Sequence, residues 1–324
     1  LPKKHTLNYR LLAQYTTLTK KDVETILKPY GVKQITSFKI LSGGSENTNY
    51  QVQTNSEKLV VTICELKTEK NATELAQLLE HLAHNNYETS TLLRTQDNEL
   101  LTLWQEKPVM VKSFVEGTII DDLPNYLITL IGSQLGKLHK IEAPKYLQNH
   151  ANFGKQEFCN VKKYAANSSF ETWLMDNLEY IQPFISSKLP QGIIHADVFS
   201  NNVIVNELQD TVVIMDFEEA VNYYRVYDIG MTIIGICGEG NTINFEKVRA
   251  LLKGYQKEVT LLDIEINALQ AFTVYAGSAM TFWRHSHFNF IKPDPAFYNH
   301  YKGLQVLTDF IKQQPIDCFV KLAH

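Results

Sequence analysis

The sequence predicts an α+β fold of two lobes: a small antiparallel β-rich lobe over residues 1–117 and a larger helical lobe over 118–324. Three observations carry that expectation. Residues 35–65 and 92–116 alternate β-branched and aromatic side chains with turn-forming clusters, as short paired strands do. From PNYLITLIGSQLGKLHKI onward the apolar residues recur at helical spacing. The helical half is broken once, where IIHADVFSNNVIV (193–205) and TVVIMDF (211–217) read as short strands around a polar loop.

Each element has its own signal. Thr19 caps KKDVETILKPYGV, with Val23, Ile26 and Leu27 on one face and Gly31 closing it. ITSFKIL, SGGSENTNYQVQT and KLVVTICEL follow as strands, the last two joined by an Asn55-Ser56-Glu57 turn. NATELAQLLEHLAHN is a helix inserted into the small lobe, with Leu75, Leu78, Leu79 and Leu82 as its apolar stripe. Two further strands are expected around an Asp97-Asn98 turn, ending near Gly117. Most of 155–189 reads as helix, and Ile229–Cys237 as a buried one. A cleft between the lobes is the expected place for a small-molecule site.

Composition narrows the class. Hydrophobic residues make up 44% and charged residues 20%, the balance of a soluble globular protein. A formal net charge of −4 provides no global basic field, so neither nucleic acid nor an anionic membrane is an expected partner. Cys64, Cys159, Cys237 and Cys318 lie far apart, which fits a reducing compartment better than a disulfide framework or zinc site. No run approaches the roughly 20 apolar residues of a membrane span. The opening LPKKHTLNYR shows no signal-peptide core, so the cytoplasm is the expected location.

The polar loop carries the chemistry. In HADVFSNN, Asp197 and Asn202 stand five apart, and Asp216 ends an apolar run fourteen residues later in VVIMDFEEA. Phosphoryl transfer asks for a carboxylate to orient the attacking hydroxyl and for oxygen ligands to Mg²⁺ on the nucleotide phosphates. Asp197 suits the first task, Asn202 and Asp216 the second. LSGGSENTNY (41–50) lies between two strands, where Gly43 and Gly44 allow either a tight hairpin turn or close backbone approach to phosphate.

The spacing H-x-D-x4-N followed by a strand ending D-F-E resembles the protein-kinase-like fold, and within it the aminoglycoside phosphotransferase and choline kinase superfamily. The run Gly44, Glu46, Asn47, Thr48, Asn49, Tyr50 is more narrowly similar to the G-x-E-N-[ST]-N-[FY] signature of type II homoserine kinases. TICE, LLEHLA and SFVEG follow the same pattern. The resemblance covers most of residues 17–310. It implies a catalytic Asp197 with His195 supporting its loop, and magnesium on Asn202 and Asp216. It also implies phosphate cover from Gly43, Gly44, Ser45, Asn47, Thr48 and Asn49, and adenine against the backbone of Ser113, Phe114 and Val115. Asp228 in RVYDIGM would brace the loop, and His139 would serve packing.

ATP is then the co-substrate, with Mg²⁺, and the acceptor is a small hydroxyl-bearing molecule. L-Homoserine is the leading candidate, which would place the chain in threonine biosynthesis. Choline, ethanolamine or an aminoglycoside remain as alternatives on the same fold, and a nucleotide-binding pseudokinase as an alternative of another class. The last is prompted by Thr62, which stands where many kinases place a strand lysine. Lys58 and Lys67 are nearby cations, and Glu74 or Glu80 a helix partner. A zwitterionic acceptor wants a guanidinium and an acid. VYAGSAMTFWRHSHF supplies Arg284, and Glu218 follows the metal-binding Asp, while Glu219 is expected to face solvent. Tyr275, Phe282 and Trp283 offer either a cation–π box for a quaternary amine or a core stripe.

Overall fold

The computed structural model describes residues 16–41 and 47–324. The chain divides between Glu116 and Gly117 into two compact units. In the first, helix α1 (Lys20–Leu27) opens on Thr19, whose hydroxyl accepts from the Asp22 N–H. The Asp22 carboxylate accepts in turn from the Thr19 N–H at 2.7 Å, a reciprocal cap of about 1 kcal/mol. Gly31, at φ 76, ends the short 3-10 turn that follows.

Strands β1 (Ile35–Leu41), β2 (Asn47–Thr54) and β3 (Lys58–Cys64) form an antiparallel meander. Helix α2 (Glu69–His84) is capped by Thr68 and buries Ala72, Ala76, Leu78, Leu79 and Leu82, while Leu75 is only partly covered. Strands β4 (Thr102–Trp104) and β5 (Lys107–Ser113) complete a sheet of order β1-β2-β3-β5-β4 among the described residues.

The expected hairpin around Asp97-Asn98 is corrected here. Asn98 closes a local turn onto the Thr95 carbonyl at 2.9 Å, but the strands meet at Gln105-Glu106, both at positive φ (49 and 66). Two-residue hairpin turns demand that conformation, which Asn and Gly adopt far more readily than Gln or Glu. The register wins over local preference, because it buries Val109, Met110 and Val111 completely.

The second unit opens at Gly117 and Thr118, which bridges Val205 by two 2.9 Å backbone bonds. Gly117 sits at φ 142, and a Cβ there would lie 2.3 Å from the Val205 oxygen, so only glycine fits. Helix α3 (Asn125–His139) follows, then α4 (Lys162–Ala165) and α5 (Ser169–Ile181). The helical reading of most of 155–189 is realised in pieces: the chain breaks at Asn167, which has φ 57, and restarts on the Ser168 cap.

Next come β6 (Gln191–Ile194), β7 (Val203–Val205), β8 (Val212–Ile214) and β9 (Val221–Tyr224), with β6 paired to β9 and β7 to β8. Both connections, 195–202 and 215–220, therefore run between the same two ladders. Helices α6 (Arg225–Ile236), α7 (Phe245–Tyr255), α8 (Asp263–Ser286), α9 (His300–Gln313) and α10 (Ile316–Ala323) close the unit. α3 and α7 pack backbone to backbone. A Cβ on Gly254 would lie 1.9 Å from the Thr129 oxygen, and one on Gly132 would lie 2.1 Å from that of Leu251. Among the described residues no helix is long and apolar enough to cross a membrane.

Candidate active site

The loop after β6 is held from beneath by one buried carboxylate. Asp228, in the first turn of α6, accepts from the N–H groups of His195 and Ala196, each at 2.7 Å. Ala196 lies at φ 65, a left-handed conformation that costs an alanine roughly 1 kcal/mol or more, and these two bonds hold it there. His139 reaches the same carboxylate through Nε2 at 3.1 Å, while its Nδ1 meets the Tyr255 hydroxyl at 2.9 Å. His195 then ties the loop to the other connection. Its Nε2 lies 2.8 Å from the Met215 carbonyl and its Nδ1 accepts from the Asp197 N–H at 3.2 Å, which places the ring proton on Nε2.

These bonds bring the sequence-predicted acids together. The Asn202 amide donates to the Asp197 carbonyl and to Asp197 Oδ2, at 2.8 and 3.0 Å. Asn202's own carbonyl accepts from Met215 N–H at 2.9 Å, so Asn202 and Asp216 stand at neighbouring ends of the β7–β8 hairpin. Asp216 is solvent-exposed and left-handed, at φ 68. Burial lifts the Asp197 pKa well above the usual aspartate value, and the charges of Asp216 and Glu219 add to the rise. The Asn202 bond and the Arg284 guanidinium pull the other way.

Glu219 departs from its expected place. It is half-buried rather than exposed: the Asn152 amide donates to its Oε2 at 2.7 Å, and its charge is felt at Asp197. The 3-10 turn Phe217–Glu219 after a left-handed Asp216 breaks strand alternation, so side-chain direction could not be counted from β8. Glu218, in the same turn, is partly buried.

Arg284 lies in the last turn of α8 with its guanidinium carbon 5.8 Å from the Phe199 ring centroid, two residues beyond Asp197. Its Nη1 is 3.3 Å from His300 Nε2, the first residue of α9. Phe199 lies within the HADVFSNN loop but was given no role from the sequence, and the link of His300 to the site exists only in three dimensions. Tyr275 and Phe282 are enclosed in the core, with the Tyr275 hydroxyl on the Lys155 N–H at 2.7 Å, and Trp283 stacks on His287. The aromatic stripe is therefore core packing rather than a box.

In the first unit, Gly43, Gly44 and Ser45 lie outside the described residues. Thr48 turns its hydroxyl onto Glu65 Oε1 at 2.6 Å, and Lys107 meets the other oxygen of that carboxylate at 2.5 Å. Asn49 is on the opposite face of β2 and accepts from the Thr62 hydroxyl at 2.7 Å. Asn47 is buried at the start of the strand. Ser113 and Phe114 donate their N–H groups to the carbonyls of Thr91 and Lys58. Of the cation candidates, Lys58 pairs with Glu116 at 2.6 Å; of the helix acids, Glu74 meets Lys70 and Glu80 meets Arg94.

A family model described as the phosphotransferase enzyme family matches residues 37–258. A homoserine kinase from Rhizobium rhizogenes is 29% identical over 282 residues, spanning 84% of this chain and 86% of that protein. A microcompartment-associated aminopropanol kinase superposes with a TM-score of 0.72 at 16% identity, covering 93% of this chain and 99% of that one. An amicoumacin kinase in complex with AMP-PNP and Ca²⁺ gives 0.69 at 15% identity, over 92% and 97%. At these identities the two structures speak for the fold, which is protein-kinase-like. The family match extends over more than half the chain and takes in the 195–219 constellation, so this protein belongs to the phosphotransferase enzyme family and is a small-molecule kinase.

Proposed function

We propose that this kinase transfers the γ-phosphoryl group of ATP to the hydroxyl of L-homoserine, the step that yields O-phospho-L-homoserine for threonine biosynthesis. The observation that carries the reading is a proton acceptor and a guanidinium in one site: Asp197, raised in pKa by burial and acidic neighbours, lies within the field of Arg284. A zwitterionic hydroxy acid needs both. Similarity to a homoserine kinase over 84% of the chain supports the same acceptor.

In this reading Asp197 receives the hydroxyl proton as the acceptor oxygen bonds to the γ-phosphorus. The bond from that phosphorus to the β–γ bridging oxygen breaks, and ADP leaves. His195 keeps the loop seated, through the Asp197 N–H and the Met215 carbonyl. Arg284 takes the acceptor carboxylate and Glu218 its ammonium.

The residues fit a hard divalent cation: Asp216 is exposed at the same end of the β7–β8 hairpin as Asn202, and the negative charge of Asp216 and Glu219 already bears on Asp197. Mg²⁺ held there would neutralise charge on the transferred phosphoryl group; the amicoumacin kinase of the same fold is in complex with AMP-PNP and Ca²⁺. For the nucleotide base, the N–H groups of Ser113 and Phe114 are spent within their unit, so adenine is left to the carbonyls of Ser113 and Phe114 and to the backbone of Val115. Gly43, Gly44, Ser45, Asn47 and Asn49 remain the candidate phosphate cover, while the Thr48 hydroxyl serves Glu65.

The test is ADP release in a coupled assay with L-homoserine, choline, ethanolamine and an aminoglycoside. Homoserine is expected to give the highest kcat/KM. A preference for choline or an aminoglycoside replaces the acceptor; nucleotide binding with no acceptor-dependent ADP identifies a pseudokinase. The electrostatics add a second expectation. Glu219→Gln keeps an oxygen for the Asn152 amide but removes a negative charge that raises Asp197. The acid limb of kcat/KM should then move to lower pH, because Asp197 ionises more easily. A limb that stays in place or moves up contradicts the assignment of the base.

A further inference from the structure

We propose that His300 is a positioning residue that aims the Arg284 guanidinium at the acceptor carboxylate, an inference that rests on the homoserine reading. An arginine in the last turn of a helix has several rotamers, and fixing one costs on the order of 2 kcal/mol of side-chain entropy. Two contacts bear that cost here. The Phe199 ring lies under the guanidinium at 5.8 Å and belongs to the same loop as Asp197. His300 Nε2 lies 3.3 Å from Nη1.

The chemistry of the second contact is determined by its donor. Guanidinium has no acceptor, so Nε2 must offer a lone pair and the ring proton must sit on Nδ1. Nδ1 is buried with no hydrogen-bond partner among the described residues. An orphaned buried donor is a standing cost that a plain packing residue at this position would not incur. Burial, with Arg284 adding to it, holds the His300 pKa down at about 4, so the lone pair persists at neutral pH. A neutral acceptor orients the guanidinium without bringing a negative charge of its own, whereas a carboxylate at 300 would compete with the acceptor's carboxylate.

The ring is itself preorganised. After α8 the chain makes one π-helical turn (His287–Ile291) and returns through Pro293–Pro295. Phe288 and Phe297 stack at 5.0 Å across that return, and His300 packs at 5.9 Å from the first and 5.5 Å from the second. Such π-helical insertions often mark functional positions, and this one lies between Arg284 and His300.

The experiment compares L-homoserine with its decarboxylated counterpart, 3-aminopropan-1-ol, in wild type, His300→Leu and His300→Gln. His300→Leu is expected to lose kcat/KM on homoserine by roughly tenfold more than on aminopropanol, mainly through KM, since a charge-assisted bond is lost. Glutamine, whose Oε1 can accept, is expected to recover most of that loss. Equal losses on both acceptors, no loss at all, or no recovery by glutamine overturns the proposal. Histidine-selective ¹⁵N NMR at neutral pH reads the contact without any acceptor: the Nδ1–H tautomer supports it, and an Nε2–H tautomer or imidazolium overturns it. Wild-type enzyme that accepts aminopropanol but not homoserine overturns the acceptor reading and the carboxylate role together, while the tautomer still decides the Arg284–His300 contact.

Discussion

Asp197→Asn is expected to lower kcat by roughly 10³-fold while raising the melting temperature of the protein measured without divalent ion. Both halves come from one environment. The asparagine is isosteric and keeps an oxygen for the Asn202 amide, so the loop retains its bonds to residues 195–202. What it loses, on the proposed assignment, is the ability to take a proton from the acceptor hydroxyl. The stability change follows from the raised pKa. Burial, Asp216 and Glu219 make the folded state hold the Asp197 proton more tightly than the unfolded chain does. That acid therefore favours folding at low pH, and the contribution is lost as pH rises from the unfolded value through the folded one. At neutral pH its ionised form is a liability, which asparagine removes; such trade-offs are common where function requires an unfavourable charge. Steady-state kinetics and thermal unfolding of one variant check both. Retained turnover would sink the catalytic assignment, and a lower melting temperature would sink the electrostatic account.

Asp228→Ala should behave in the opposite way, losing activity and stability together. The side chain is fully buried and serves three groups: the N–H of His195, the N–H of Ala196 and the His139 ring. Alanine strands both backbone donors, at about 1–3 kcal/mol each. It also releases Ala196 from its left-handed conformation at φ 65, so the loop no longer has a reason to hold its shape. A loss of about 3 kcal/mol or more corresponds to a melting temperature roughly 6–12 °C lower. Asp228→Asn retains one acceptor oxygen and is expected to fall between. Calorimetry with kinetics on the folded fraction separates the two aspartates, because Asp197 changes the chemistry on an intact frame and Asp228 changes the frame. An Asp228→Ala protein as stable as wild type would refute the bracing role.

Why some of this was legible beforehand and some was not has physical causes. That Asp197, Asn202 and Asp216 come together could be read because a short β-hairpin translates their spacing directly into proximity; their roles rest on phosphoryl transfer restricting residue types and remain a proposal. The Thr19 cap was equally readable, since capping is decided within four residues. Gln105-Glu106 was not readable as a turn: its positive φ values are imposed by burial of β5, not by the residues' own preference. Glu219 was misplaced because direction along a strand cannot be counted through a left-handed residue followed by a 3-10 turn. His300 is sixteen residues from Arg284 across an irregular π-helical return, a distance over which no period operates.

The seam between α3 and α7 reaches further than its chemistry suggests. Gly132 and Gly254 let two backbones touch, and at the end of the seam Tyr255 holds His139, which holds Asp228. The spacing of two remote helices is thereby a gauge block for the height of the Asp197 loop. Any lineage that adds even a methyl group at those glycines wedges the helices apart and shifts the loop with them. Substitutions that silence the enzyme are thus expected beyond the positions that meet a nucleotide, along a seam where no reacting atom comes.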